Sequence, residues 1–231
     1  MTRFRNRTHA GEQLAERVAR LALGKVAVLA IPRGGVEVGL PVARELGASL
    51  SVMVLRKLPL PTSPEAGFGA ITLDGTMILN DDVVERARLD TGTIYRVQGE
   101  VLAEMKRRAD RYADYVAGKL DGREAVIVDD GLASGYTMLA ATASARSRGA
   151  AGVTVAVPVS SQSAYEAVAE ECDRFVALVV SPQTPFAVAG FYEHWEDLTD
   201  EEALASLRAA SGGENASHRP SARHRRKGRG R

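Results

Sequence analysis

Two adjacent carboxylates, Asp129 and Asp130, end the apolar run Val126-Ile127-Val128 and precede Gly131-Leu132-Ala133-Ser134-Gly135-Tyr136-Thr137-Met138. A buried strand that stops at two acids, followed by a turn of small residues opening a helix, can hold a ligand whose two ends differ in chemistry. Backbone N–H groups at a helix start converge on an anion, and the helix dipole favours negative charge there. Gly135 lets the backbone approach a phosphate closely, while Ser134 and Thr137 add hydroxyl donors. The two acids are misplaced for phosphate but suit sugar hydroxyls or a hydrated Mg2+ ion. Phosphate at one end and a diol at the other describe a ribose 5-phosphate.

Two further segments carry the complementary charge. Ile31-Pro32-Arg33-Gly34-Gly35 follows another apolar run and opens a helical pattern, so Gly34 and Gly35 leave amides free for a second anion and Arg33 adds charge. Arg56 and Lys57 end a third run, ahead of a stretch rich in Pro and Gly that continues to Asp74. The plain alternatives are an ordinary strand–turn–helix connection and a solvated charge pair. A nucleotide P-loop is excluded, because no Gly-Lys-Ser/Thr follows the acids, and the Gly-x-Gly-x-x-Gly dinucleotide spacing is missing.

These residues need a scaffold that brings several strand ends together. Lys25–Ile31, Leu50–Leu55, Glu124–Val128, Val153–Val159 and Phe175–Val180 read as strands, most of them continuously apolar. Helical patterns over Gly11–Leu23, Gly35–Leu46, Thr91–Lys119, Gly135–Arg148 and Ser163–Glu171 alternate with them. That rhythm predicts an α/β fold with a mostly parallel central sheet flanked by helices. In such sheets ligands bind beyond the carboxyl ends of the strands, where the acid-rich and glycine-rich segments fall. Arg56–Asp74 reads as a long lid loop, and Ile71–Asn80 as a short hairpin turning at Asp74-Gly75. The helix expected over 91–119 is polar and protrudes from the core.

Composition bounds the rest. The 231 residues suit one generous domain, and their apolar share of 45% with only 5% aromatic leaves Val, Ala, Leu and Ile to build the core. Charge is uneven: residues 211–231 hold seven Arg or Lys against one acid, and the other 210 residues hold 23 bases against 28 acids. We read 1–210 as the folded domain and 211–231 as a disordered basic tail, capable of weak nonspecific nucleic-acid contact. Cys172 stands alone, so an intramolecular disulfide is excluded. The polar opening and the short apolar runs predict a soluble, cytoplasmic protein with no membrane partner.

The segment Val126–Met138 resembles the PRPP loop of type I phosphoribosyltransferases, PRPP being 5-phosphoribosyl-1-pyrophosphate. Ile31–Gly35 resembles that family's pyrophosphate loop, which often carries a non-proline cis peptide, here at Pro32–Arg33 or Arg33–Gly34. Arg56-Lys57 and the following stretch resemble its pyrophosphate-binding basic pair and lid. The three occur in the family's order, and the resemblance covers about Arg3–Leu207, with 181–210 as a small C-terminal hood. It implies transfer of ribose 5-phosphate from PRPP to a nitrogen nucleophile, with Mg2+, release of pyrophosphate and a homodimer. PRPP would be held by Arg33, Gly34, Gly35, Arg56, Lys57, Asp129, Asp130, Ala133, Ser134, Gly135, Tyr136 and Thr137. Asp129 and Asp130 would reach the metal through water, and Lys57 would act in catalysis. Hypoxanthine–guanine enzymes place an Asp where this chain has Ala133, and the wording here looks closer to adenine enzymes. Those draw on an acid beyond the lid, for which Asp74 is the counterpart or else a turn aspartate. Tyr136 and the long polar helix depart from the family's compact members and suggest a separate branch. Phe186, Phe191, Tyr192 and Trp195 either stack on a planar base or pack the hood, and His194 is either a surface residue or a base. A sensor of PRPP that keeps the fold without turnover is the alternative function.

Overall fold

The chain alternates strands and helices because runs of Val, Ile and Leu too short for buried helices are separated by helical segments, several of them with side-chain caps. The structure, a computed structural model, describes residues 4–217. Helix α1 (Arg7–Ala19) starts four residues before the expected Gly11, where the Asn6 side chain accepts from the His9 amide. Strand β1 (Val26–Ala30) leads into α2 (Gly34–Glu45) and the short β2 (Leu50–Val52). The single strand expected over Leu50–Leu55 is interrupted there. At Met53 and Val54 the chain leaves the first sheet and starts a second one with β3 (Leu55–Leu60), β4 (Ser63–Thr72) and β5 (Met77–Leu79).

The lid loop expected over 56–74 is therefore a correction: it is an antiparallel β3–β4 hairpin. Prolines argued for a loop, but β3 is an edge strand and the pairing shifts register at Leu58/Pro59 and Pro59/Leu60, positions that tolerate a missing N–H. The expected turn at Asp74-Gly75 does link β4 to β5, with Gly75 at φ +91°.

After α3 (Asp81–Arg86) comes α4 (Thr91–Arg111), capped by the Asp90 side chain. This is the helix expected to protrude through Lys119. It ends at Arg111, and Val97, Val101, Met105 and Ala109, spaced by fours, bury one stripe in the main core. The dense Arg and Glu on its other faces hid that stripe.

The parallel sheet is completed by β6 (Glu124–Val128), α5 (Tyr136–Ser147), β7 (Gly152–Ser161), α6 (Gln162–Ala169) and β8 (Arg174–Ser181). A 3-10 turn (Val188–Phe191) and α7 (Asp200–Ser217) follow. Strand order is β2-β1-β6-β7-β8, all parallel. Alternate side chains of the central strands enter two cores: Val28, Ala30, Val126 and Val128 face the layer containing α1, α2 and α4, while Ala27, Leu29, Ala125 and Ile127 face α5 and α6. Helix α7 carries helical backbone past Ser211, where the basic tail was expected to begin; residues 218–231 lie outside the described residues. Among the described residues no helix is long and apolar enough to cross a membrane.

The order of the sheet fixes where a ligand can sit. From β1 the chain moves to β2 on one side, and from β6 it moves to β7 on the other. The crevice between the carboxyl ends of β1 and β6 is thus the topological switch point, the usual ligand position in open α/β sheets. Ala30 pairs with Val128, so the segments after both strands emerge side by side.

Candidate functional site

Arg33, Gly34 and Gly35 follow β1 across the cis Pro32–Arg33 peptide, and Gly34 opens α2. Asp129 and Asp130 follow β6. The two segments are in contact: a Cβ at Gly34 would fall 1.9 Å from Oδ2 of Asp130, and one at Gly35 would fall 2.7 Å from the carbonyl oxygen of Val128. Glycine at position 34 is required by this approach, since any side chain would expel the carboxylate.

Beyond the acids, Leu132 is tied to the long β7 by bonds from its amide to the Val159 carbonyl and from the Ser161 amide to its own carbonyl. The Ser161 hydroxyl donates to the Ala133 carbonyl and accepts from the Ala164 amide at the start of α6. Gly135 caps α5 with φ +80°, a left-handed conformation that favours glycine. No acceptor among the described residues takes the amides of Ala133 through Met138. Ala133 and Ser134 are exposed and Tyr136 and Thr137 partly so, while Gly135 and Met138 are buried, so the turn borders solvent on one side of the helix start. The turn can receive an anion.

The acid pair is half-buried and tightly coupled. Burial raises the Asp129 carboxyl well above its ordinary range, and the Asp130 charge raises it further. Burial also raises Asp130, but the hydrogen bond and charge of Arg7 oppose that shift. Arg7 Nε donates to Asp130 Oδ2 at 2.8 Å, Arg7 Nη1 donates to the Glu196 carbonyl at 2.8 Å, and its guanidinium carbon stands 3.8 Å from the centre of the Trp195 ring. The Tyr192 hydroxyl donates to the Asp130 carbonyl at 2.6 Å, and burial followed by the Asp130 charge raises its pKa. Glu37, in the first turn of α2, is also raised, by burial first and against the pull of Arg7. Composition and motif gave no sign of Arg7 or Glu37; only the contact between sequence-distant segments shows them. Tyr192 was noted as an aromatic, and its hydroxyl role required the fold.

Of the two adjacent carboxylates only Asp130 has a direct ion pair among the described residues, so Asp129 is open to a cation at the switch point. Among the described residues no three His, Cys, Asp or Glu side chains group as a metal set. An all-oxygen pair without a third protein ligand fits Mg2+, which keeps several waters and completes its shell with phosphate oxygens. Asp129 and Asp130 are the residues present that could hold it.

Other expected residues fall elsewhere. Arg56 and Lys57 lie exposed on β3, Arg56 paired with Glu104 of α4 and Lys57 donating to the Glu65 carbonyl across the hairpin. The structure does not bring Asp74 to the crevice, which corrects its reading as the base. Its carboxylate accepts from Thr72, the Thr76 amide and Ser144, and Arg148 Nε reaches it at 2.9 Å. Burial alone raises its pKa, yet the bonds from Ser144, Thr72 and Thr76 outweigh this and hold it well below the ordinary value. Ser144 lies eight residues after Tyr136, roughly 12 Å along α5 from the phosphate-receptive end at 1.5 Å per residue. Asp74 is a turn aspartate, bound to the far end of that helix.

The late aromatics mostly pack a small core. Phe191 and Tyr192 are buried with Phe4, Ala10 and Val159, and Phe186, Val188 and Trp195 pack against them. His194 is exposed. A cleft of about 290 Å³ opens beside this cluster, lined by Arg7, Arg33, Arg108, Asp129, Asp130 and Trp195 among others.

Residues 5–193 match the profile of the family described as Phosphoribosyl transferase domain. Two provisionally named phosphoribosyl transferases of Mycobacterium tuberculosis, MT0597 and Rv0571c, are each 43% identical over 210 residues, 90% of this chain. The chain spans about half the length of those relatives, 47% of each. The crystal structure of TT1426 from Thermus thermophilus is 38% identical and matches with a TM-score of 0.75, over 89% of this chain and 98% of that one.

Proposed function

Because this chain belongs to the phosphoribosyl transferase domain family, we propose that it transfers ribose 5-phosphate from PRPP to a nitrogen nucleophile and releases pyrophosphate. Its five-stranded parallel sheet with flanking helices is the type I phosphoribosyltransferase fold. One observation carries the reading of the site. At the switch point an acid pair stands between two anion-receptive turns, with Gly34 in contact with Asp130 on one side and the unbonded amides of Ala133–Met138 on the other.

In this reading the start of α5, with Ser134 and Thr137, takes the 5-phosphate. Asp129 and Asp130 accept from the ribose hydroxyls. Arg33, with the backbone of Gly34 and Gly35, takes the pyrophosphate and stabilises the charge that grows on it as the bond to the anomeric carbon breaks. Arg56 and Lys57 reach that anion from the β3–β4 hairpin by exchanging their present partners. The nucleophile's nitrogen forms the new bond to the anomeric carbon and loses its proton to solvent or to a group of the acceptor pocket. Mg2+, when bound, supplies Lewis acidity at the leaving-group oxygens. The acceptor is a planar nitrogen heterocycle or a related amine.

The test is pyrophosphate release from PRPP and Mg2+ over a panel of nucleobases and amines, with Asp129→Asn/Asp130→Asn as the control. Release that needs an acceptor and disappears in the control supports transfer. No binding of PRPP at millimolar concentration rules the reading out, and binding without turnover on any acceptor makes the chain a PRPP sensor of the same fold.

A further inference from the structure

We infer that Arg108, on the α4 helix that lies far from both motifs in sequence, is a further ligand of the leaving pyrophosphate, held in place by Asp200. The inference rests on the proposed PRPP reading of the switch-point crevice. Arg108 lines the same cleft as Arg33, Gly34, Asp129 and Asp130. Its helix is immobilised by the buried stripe Val97, Val101, Met105 and Ala109, so the guanidinium is presented from a packed element and not from a loop.

Its hydrogen bonding is one-sided. Nε lies 3.1 and 3.2 Å from the two carboxylate oxygens of Asp200, and Nη2 lies 2.7 Å from Oδ1. Nη1 donates to no acceptor among the described residues. One edge of the planar group is thus fixed and the other is unspent. A guanidinium can bridge two anions in this way because its donors are rigidly forked. A second set of contacts steadies the holder. The Tyr112 hydroxyl donates to Asp200 Oδ1 at 3.0 Å, and Arg111 Nη1 stands 3.8 Å from Oδ2. Burial raises the Asp200 carboxyl, but bonding and charge from Arg108, then Tyr112, then the charge of Arg33 hold it low. Arg33 and Arg108 therefore approach the same patch, one from the pyrophosphate turn and one from α4. Arg108 stays partly open, with 25% of its side chain exposed, as a group awaiting a ligand must.

A purely structural Arg108 predicts a different outcome. If its only task were to clamp Asp200, replacing it would lower the melting temperature and leave the pyrophosphate affinity of the folded protein unchanged. If it bridges Asp200 and phosphate, affinity falls with the number of donors lost, and lysine, which keeps the charge but not the fork, falls between glutamine and the parent. The experiment measures inorganic pyrophosphate binding to the full chain with Mg2+ by calorimetry, with melting temperature recorded for each variant. R108Q is expected to weaken binding about ten- to a hundredfold, the worth of a charged hydrogen bond. R108K keeps the charge without the fork, so its binding is expected to fall severalfold, less than that of R108Q, and it serves alone if R108Q does not fold. Parent-like pyrophosphate affinity in these variants, while R33Q loses it, overturns the role of Arg108 and leaves the functional reading standing. A parent chain that binds neither pyrophosphate nor PRPP overturns that reading, and this inference with it.

Discussion

Arg7 and Asp130, 123 residues apart in sequence, meet at 2.8 Å between Nε and Oδ2. The side chains are 7% and 17% exposed, so the pair is largely shielded from solvent. Arg7 has no slack: Asp130, the Glu196 carbonyl and the Trp195 ring hold it from three directions. The first helix and the segment before α7 therefore converge on one acid of the crevice. The pair divides the labour of the two aspartates. Asp130 has a fixed partner, and Asp129, with no basic partner among the described residues, is the acid left for a cation or a diol.

Arg7→Gln should expose that division. Removing one partner of a buried pair leaves an uncompensated charge and should cost about 3 kcal/mol, measured by urea unfolding. The charge that opposes the raising of Asp130 is lost as well, so both acids keep their protons to higher pH. The midpoint of PRPP and Mg2+ binding against pH should move upward in the variant. An unmoved midpoint would separate Arg7 from the acids' titration.

Asp129→Asn should trade function for stability. The folded carboxyl titrates above its ordinary 3.8, so the folded state binds its proton more tightly than the unfolded chain does. Stability contributed by this group is present below 3.8 and is lost as pH rises through the raised value. Near neutral pH, burying a carboxyl that ionises more readily in the unfolded chain burdens the fold, and the amide removes the burden. Ligand-free D129N should melt about 2–4 °C higher, equivalent to roughly 1 kcal/mol for a chain of this size. PRPP binding should fall at least about tenfold with the loss of a charged hydrogen-bond acceptor. A lower melting temperature at neutral pH would show that Asp129 stabilises the fold.

Gly34→Ala tests the contact between the two turns. The added methyl would lie 1.9 Å from Asp130 Oδ2 and 2.9 Å from Arg7 Nε, so the carboxylate must swing away or the turn must open. Calorimetric PRPP affinity should drop by about a hundredfold or more, comparable to losing a well-placed charged pair. Gly24→Ala, where a Cβ meets nothing within 4 Å, is the matched control and should bind as the parent does.

The fold, and the position of the acids and glycines of the candidate site at its strand ends, were legible because both are local patterns. Val26–Ala30, Glu124–Val128 and the start of β7 are apolar runs bounded by turn residues, and the acids and glycines sit immediately after two of them. The β3–β4 hairpin was hidden because Pro59 and Pro61 mark loops unless a strand is at an edge and bulged, and edge position is a property of the whole sheet. The buried stripe of α4 was masked by the charge on its other faces. Arg7 was illegible for a stronger reason. Nothing near Asn6-Arg7-Thr8 distinguishes it from a surface arginine, and its burial depends on segments more than 120 residues away. Asp74 was legible only as two alternatives, a base beyond the lid or a turn aspartate, because its partners, Ser144 and Arg148, lie far along the chain.

Asp74→Asn therefore should damage stability and spare turnover. The carboxylate clamps the β4–β5 turn to α5 through Ser144 and Arg148, and an amide cannot accept all of those donors. With 28% of its side chain exposed, the loss should be about 1–2 kcal/mol, toward the lower part of the range for hydrogen bonds to charged groups. Its folded pKa is depressed, so this contribution is present above the ordinary 3.8 and lost as pH falls toward the depressed value. The stability gap between parent and variant should be full near neutral pH and should narrow in strong acid, as followed by thermal melts across pH. Per folded molecule, pyrophosphate release from PRPP should match the parent. A large fall in turnover with an unchanged melting temperature would return Asp74 to the reaction, against every contact its carboxylate makes.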